Sequence, residues 1–184
     1  QDQYAALNGG VQYLEFRDPA AVSARVELTD AVLDALRRDM ALCYTGRSRI
    51  SGNIISTVMG NYRRGDARTT GALRRLKAIA GEMRDALMAG DMAGFGTLLL
   101  DNWRCQKDLD PSVTTSEIEA LFEMAQGVGA VAGKALGAGG GGCVLFYAPD
   151  RAALLRQRLT EQGLAVLDFD FDFAGLEVHV SQAV

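Results

Sequence analysis

Cysteine and histidine are scarce in this chain. The three cysteines, Cys43, Cys105 and Cys143, lie far apart, their number is odd, and no C-x-x-C spacing occurs. That pattern argues against a disulfide framework, and a reduced, cytoplasmic protein is the simple expectation. The single histidine, His179, falls in an alternating stretch that reads as a strand face, so a zinc site finds no ligand set. Lysine is rare too: Lys77, Lys107 and Lys134 are the only three, and arginine is otherwise the preferred cation. No apolar run approaches membrane-spanning length. No basic stripe interleaved with aromatics suggests nucleic acid, and the net charge of −4 points away from it. There is no internal repeat and no disordered tract.

What is present is a chain of 184 residues, 48% of them hydrophobic. That suffices for a real core and suits one domain plus a fragment, or two small domains. The sequence opens Gln1-Asp2-Gln3-Tyr4 without Met and enters a helical pattern already under way. The expectation is the C-terminal portion of a longer protein.

Periodicity gives an outline. A short helix over residues 1–9 stops at Gly9-Gly10, and strands follow at 11–16 and 24–28. Asp30 is placed as the N-cap of a helix, and Met40–Tyr44 reads as a buried strand ending at Thr45-Gly46. From Ser48 the period becomes helical, with Ile50, Ile54 and Val58 on one face, broken at Arg64-Gly65-Asp66. A long amphipathic helix carries Leu73, Leu76, Ala80, Met83 and Leu87. Gly90-Asp91 ends it and starts another with Phe95, Leu99 and Trp103 in one stripe. Thr114-Thr115-Ser116-Glu117 reads as a capping box before a further helix. A glycine-rich loop, a strand over 143–148, a helix from Asp150 to Gln162 and two strands, 165–173 and 176–180, complete the chain. This order fits an α+β fold, a helix-covered and largely antiparallel sheet, better than a doubly wound one.

The run Leu136-Gly137-Ala138-Gly139-Gly140-Gly141-Gly142-Cys143 carries the most chemistry. Glycines at these positions let backbone approach a ligand closely and adopt positive φ freely. Successive N–H groups in such a loop can form an anion nest, which suggests phosphate. A flexible linker is the alternative, but the run lacks Ser and Pro and sits between apolar segments.

Other constellations leave alternatives open. Asp2, before a short helix, is either a general base toward a hydroxyl or an acid favoured by the helix dipole. Thr45-Gly46-Arg47-Ser48-Arg49-Ile50-Ser51 is a strand-to-helix junction suited to anions, or an ordinary N-cap with solvated arginines. Asn102-Trp103-Arg104-Cys105-Gln106-Lys107 puts Trp103 and Lys107 one turn apart. Lys107 is a ligand-binding cation or a surface one, and Lys134 neutralises a phosphate near the loop or caps a helix end. Asp168, Asp170 and Asp172 alternate, but same-face strand residues about 7 Å apart are too far apart for one cation.

The run Gly133-Lys134-Ala135-Leu136-Gly137-Ala138-Gly139-Gly140-Gly141-Gly142 resembles the C-terminal glycine motif of the GHMP kinases, the superfamily of galactokinase, homoserine kinase, mevalonate kinase and phosphomevalonate kinase. Asp2-Gln3-Tyr4-Ala5-Ala6, followed by Gly9-Gly10, resembles the segment that begins at the family's catalytic aspartate. Tyr44-Thr45-Gly46 with Ser48, Arg49 and Ser51, Asn102-Trp103 with Lys107, and Gly129-Ala130 are most similar to bacterial sugar-phosphate kinases of the heptose 7-phosphate type, with galactokinase-like enzymes beside them. The resemblance implies a ferredoxin-like antiparallel sheet covered by helices at 30–184, preceded by a remnant of an N-terminal domain at 1–29. It implies ATP-dependent phosphorylation of a sugar or sugar-phosphate hydroxyl, with Mg²⁺. Asp2 becomes the base or orienting carboxylate. Gly137, Ala138, Gly139, Gly140, Gly141 and Gly142 line the nucleotide-phosphate cleft, and Ser48, Arg49 and Lys107 bind the sugar or its phosphate. No metal ligand is assigned. The family's Ser/Gly-rich ATP-phosphate loop has no counterpart here, so the chain alone is expected to be inactive. A stand-alone metabolite-binding or regulatory module is the alternative, and a homodimer through an exposed apolar patch is a further expectation.

Overall fold

The structure, a computed structural model, describes residues 1–47 and 52–178. It opens with the helix α1 (Asp2–Asn8) and a hairpin of β1 (Gln12–Arg17) and β2 (Ala20–Arg25). Then come α2 (Asp30–Asp39), β3 (Met40–Tyr44), α3 (Gly52–Arg63), α4 (Ala67–Ala89) and α5 (Met92–Lys107). A 3-10 turn (Pro111–Val113) leads to α6 (Ser116–Val128), β4 (Ala132–Ala135), β5 (Cys143–Tyr147), α7 (Ala152–Glu161) and β6 (Ala165–Leu167).

Strands β4, β5, β3 and β6 form one sheet in that order, and every neighbouring pair is antiparallel. The chain order strand, helices, two strands, helix, strand is the ferredoxin-like arrangement, as expected. Side chains alternate across the sheet. Ala41, Cys43, Val144 and Phe146 enter a core with Trp103, Phe122, Ile118, Leu155 and Leu159. Met40, Tyr147 and Ala132 enter a second core with Val32, Leu36, Phe95 and Leu99. Trp103 stacks on Phe122 at 5.1 Å, and Phe122 meets Phe146 edge-on at 5.0 Å, which ties α5 and α6 to the sheet.

Local chemistry sets the helix ends. Asp66 and Asp91 cap α4 and α5 by accepting the N–H groups of Thr69 and Gly94. Gly90, with φ of 72°, ends α4 in the left-handed region.

Several sequence expectations shift. Thr29, not Asp30, caps α2, by accepting the Val32 N–H. Thr115 caps α6, so Glu117 stands one position too early for the reciprocal bond of a capping box. On α4 the deeply buried residues are Thr69, Ala72 and Ile79, while Ala80 is exposed. Asp150 takes a φ of 60° just before α7, and Arg151 holds the cap position. The strand expected over 165–173 is only β6, because its pairing with β3 ends at Leu42↔Leu167. Beyond it, Asp172 Oδ1 accepts the N–H groups of Ala174 and Gly175 and closes a turn. Residues 176–178 form no strand, and His179 and Val180 lie outside the described residues. β4 was not expected at all.

The turn at 172–175 meets the first segment of the chain. The Gly10 N–H donates to the Asp172 carbonyl at 2.5 Å, and the Leu176 N–H to that of Leu7 at 3.1 Å. Gly9 (φ of 63°) passes so near that a Cβ there would lie 2.6 Å from the Gly175 nitrogen.

Candidate functional site

The glycine loop joins β4 to β5. Gly137, Gly139, Gly140, Gly141 and Gly142 all have φ between 65° and 156°. Glycine enters that region without a Cβ penalty, which is why the sequence repeats it here. The loop is anchored on two flanks. Toward the 3-10 turn, the Gly140 N–H donates to the Val113 carbonyl at 2.6 Å, and a side chain at the buried Gly139 would strike that same carbonyl. Toward the end of β3, the Gly142 N–H donates to the Arg47 carbonyl at 2.7 Å. The Gly142 carbonyl accepts from both the N–H and the hydroxyl of Thr45, each at 2.9 Å. The N–H groups of Gly140 and Gly142 therefore face the protein, which narrows the anion nest read from the sequence.

A third anchor comes from α5. Gln106 is buried, and its Nε2 donates to the carbonyls of Gly137 (3.0 Å) and Ala135 (3.4 Å). Its Oε1 is buried with no partner among the described residues.

Two cavities flank the loop. The larger, about 820 Å³, runs between Gly140–Gly141, the exit of β3 at Thr45 and Arg47, and the start of α6. Its far wall is apolar, with Ile118, Leu121, Met124 and Leu164. Arg47 and Glu117 pair across it at 3.3 Å. The Glu117 carboxyl is held below its usual range by its own backbone N–H and the hydroxyls of Thr115 and Ser116. The smaller cavity, about 270 Å³, is bounded by Gly137 and Ala138, by Asn102 and Gln106 of α5, by Lys134 of β4 and by apolar residues of α3. The Lys134 ammonium donates to Asn102 Oδ1 at 2.7 Å, and burial lowers its pKa.

The structure places the expected site residues unevenly. Gly137, Ala138, Gly140 and Gly141 face the two cavities, and Gly139 and Gly142 hold the loop. Lys107 bridges to both oxygens of Glu119 at 3.1 and 3.2 Å and lies 5.7 Å from the Trp103 ring centre, so it braces α5 against α6. Asp2 is exposed at the start of α1, and among the described residues its carboxylate makes no hydrogen bond or ion pair. Ser48 and Arg49 lie outside the described residues. Among the described residues no group of three His, Cys, Asp or Glu could hold a metal ion, and no helix is long and apolar enough to cross a membrane.

Sequence reasoning assigns Gln106 no role. The signal was its spacing: Asn102 and Gln106 stand one helical turn apart and share a face.

The chain is similar to known proteins. Residues 83–164 match the family described as GHMP kinases C terminal. D-glycero-alpha-D-manno-heptose 7-phosphate kinase of Campylobacter jejuni is 29% identical over 179 residues, which cover 96% of this chain and 52% of that protein. The bifunctional fucokinase/GDP-fucose pyrophosphorylase of Arabidopsis thaliana is 28% identical over 166 residues, 88% of this chain and 16% of that protein. The chain thus spans at most about half the length of these relatives. In structure, L. major mevalonate kinase, crystallised with R-mevalonate, superposes with a TM-score of 0.73 over 88% of this chain and 48% of its own. At 19% identity that likeness concerns the fold. The antiparallel sheet, the glycine loop between β4 and β5 and the family match over residues 83–164 agree: the chain has the fold of the GHMP kinase C-terminal domain.

Proposed function

We propose that these residues form the C-terminal half of an ATP-dependent kinase acting on a sugar or sugar phosphate. One observation carries the reading: a glycine loop pinned at Val113, Arg47 and Gln106, with a cavity on either side and a lysine ammonium in one of them. Phosphoryl transfer asks a protein mainly for positioning and charge neutralisation, and such a loop supplies a rigid, side-chain-free wall for phosphates. The sugar kinases among the relatives favour a sugar acceptor.

In the proposed reaction the sugar hydroxyl oxygen attacks the γ-phosphorus of ATP. The bond to the β–γ bridging oxygen breaks, and ADP leaves with that electron pair. The hydroxyl proton passes to the Asp2 carboxylate, which orients the oxygen beforehand. Residues 137–142 line the nucleotide phosphates, while Ser48, Arg49 and Lys107 are assigned to the sugar. For Lys107 this requires exchange of its Glu119 partner. Mg²⁺ is assigned only as the nucleotide's counter-ion, since the described residues offer it no cage. Residues 1–29 are assigned to an N-terminal domain and 30–184 to the C-terminal one. The 184 residues alone turn nothing over, because the Ser/Gly-rich ATP loop of the family is not among them.

The test is a coupled ADP-release assay on the product of the full coding sequence, with heptose 7-phosphate and fucose as acceptors. Asp2→Asn is expected to lower kcat at least about 100-fold with the KM for ATP within about twofold. Unchanged kcat removes Asp2 from the mechanism, and no turnover of any sugar overturns the reading.

A further inference from the structure

Lys134 is out of balance with its surroundings. The residue is half-buried, its ammonium donates to the neutral Asn102 amide oxygen, and no ion pair among the described residues reaches it. Lys107, by contrast, has a carboxylate and an aromatic face. A cation withdrawn from water without a counter-charge is destabilising unless an anion joins it. Lys134 cannot swing away easily. It stands mid-strand in β4, paired with Leu145, and next to it Gly133 lets the Phe146 ring close to within 2.6 Å of where a Cβ would be. The cavity beside it has Gly137 and Ala138 on one edge and Gln106 on another.

We propose that Lys134 is an oxyanion contact: with Asn102 as its positioning partner, it holds a phosphoryl oxygen in the cavity bounded by Gly137 and Ala138. The choice of a phosphoryl group rests on the kinase reading and deepens it. The phosphate belongs either to the end of the nucleotide or to the acceptor sugar.

Calorimetric titration of the 184-residue chain separates the sources. Inorganic pyrophosphate stands for the nucleotide end and glucose 6-phosphate for a phosphorylated sugar. One of the two is expected to bind, to weaken at least tenfold in Lys134→Met, and to stay within about threefold in Lys134→Arg, which keeps the charge. Asn102→Ala is expected to weaken it less than Lys134→Met, because it loosens the ammonium without removing it. Binding is expected to fall as pH rises through the lowered pKa of Lys134, earlier than for an ordinary lysine. Circular dichroism melting of each variant confirms that it is folded, and Lys134→Arg gives the answer if the methionine variant is not. No binding of either probe, or equal binding by wild type and Lys134→Met, overturns the proposal. Transfer by the full-length enzyme with Lys134-independent binding defeats this inference alone. Lys134-dependent binding with no transfer to any sugar defeats the kinase reading and leaves the anion site standing.

Discussion

The two flanks of the glycine loop are built from similar parts and end in opposite electrostatic states. On the side of β3 and α6, the cation Arg47 meets Glu117, and both side chains are largely exposed at 78% and 63%. On the side of α3 and α5, the cation Lys134 is half-buried and has an amide oxygen for company. The larger cavity is thus neutralised by its own walls, and the smaller one retains a charge. Cavity size alone would have chosen the other side. Desolvated charge identifies the smaller cavity as the one that demands a ligand.

The loop must be rigid for that difference to matter, and the Gly139 anchor tests this most severely. In Gly139→Val the new Cβ meets the Val113 carbonyl, and valine must adopt a φ of 86°. A cost of about 2–5 kcal/mol is expected in urea unfolding, from left-handed strain and overpacking together. A variant as stable as wild type would mean that the loop is not held against the 3-10 turn, and the two flanks would merge into one mobile opening.

Gln106→Leu removes the third anchor. Two carbonyls lose their donor, while an unpartnered oxygen also disappears, so a net loss of about 1–2 kcal/mol is expected. Amide exchange of residues 137–142 should speed up in the same variant. Faster exchange at 140–142 without any change at 137–138 would show that Gln106 does not govern the flank it touches.

These anchors explain what could be read in advance. Helix ends were legible where a single residue type dictates them, as at Asp66, Gly90 and Asp91. The apolar stripe of Phe95, Leu99 and Trp103 on α5 was legible from spacing, and all three are buried. β4 was not, because Ala132-Gly133-Lys134-Ala135 has no β-branched residue and exists by pairing with β5. The opposite error arose at residues 168–173, where alternation continues in the sequence after the partner strand has ended. Alternation marks a possible strand face, but only a neighbour supplies the hydrogen bonds. The glycine loop was legible as a loop. Its inward N–H groups and the solitary charge of Lys134 depend on Val113, Arg47 and Asn102, each remote in sequence.

The smallest expected effect lies on the neutralised flank. Arg47→Ala, Glu117→Ala and the double variant form a cycle whose coupling should be under about 0.5 kcal/mol, the range of exposed ion pairs. Neither single variant should change the affinity for pyrophosphate or glucose 6-phosphate by more than about twofold. The comparison makes this null result informative: Arg47 carries the same formal charge as Lys134 and stands by the same loop, but solvent and Glu117 already satisfy it. If Arg47→Ala weakened phosphate binding as much as Lys134→Met, proximity to the loop would be what matters. Burial without a counter-charge would then lose its standing as the mark of the ligand site.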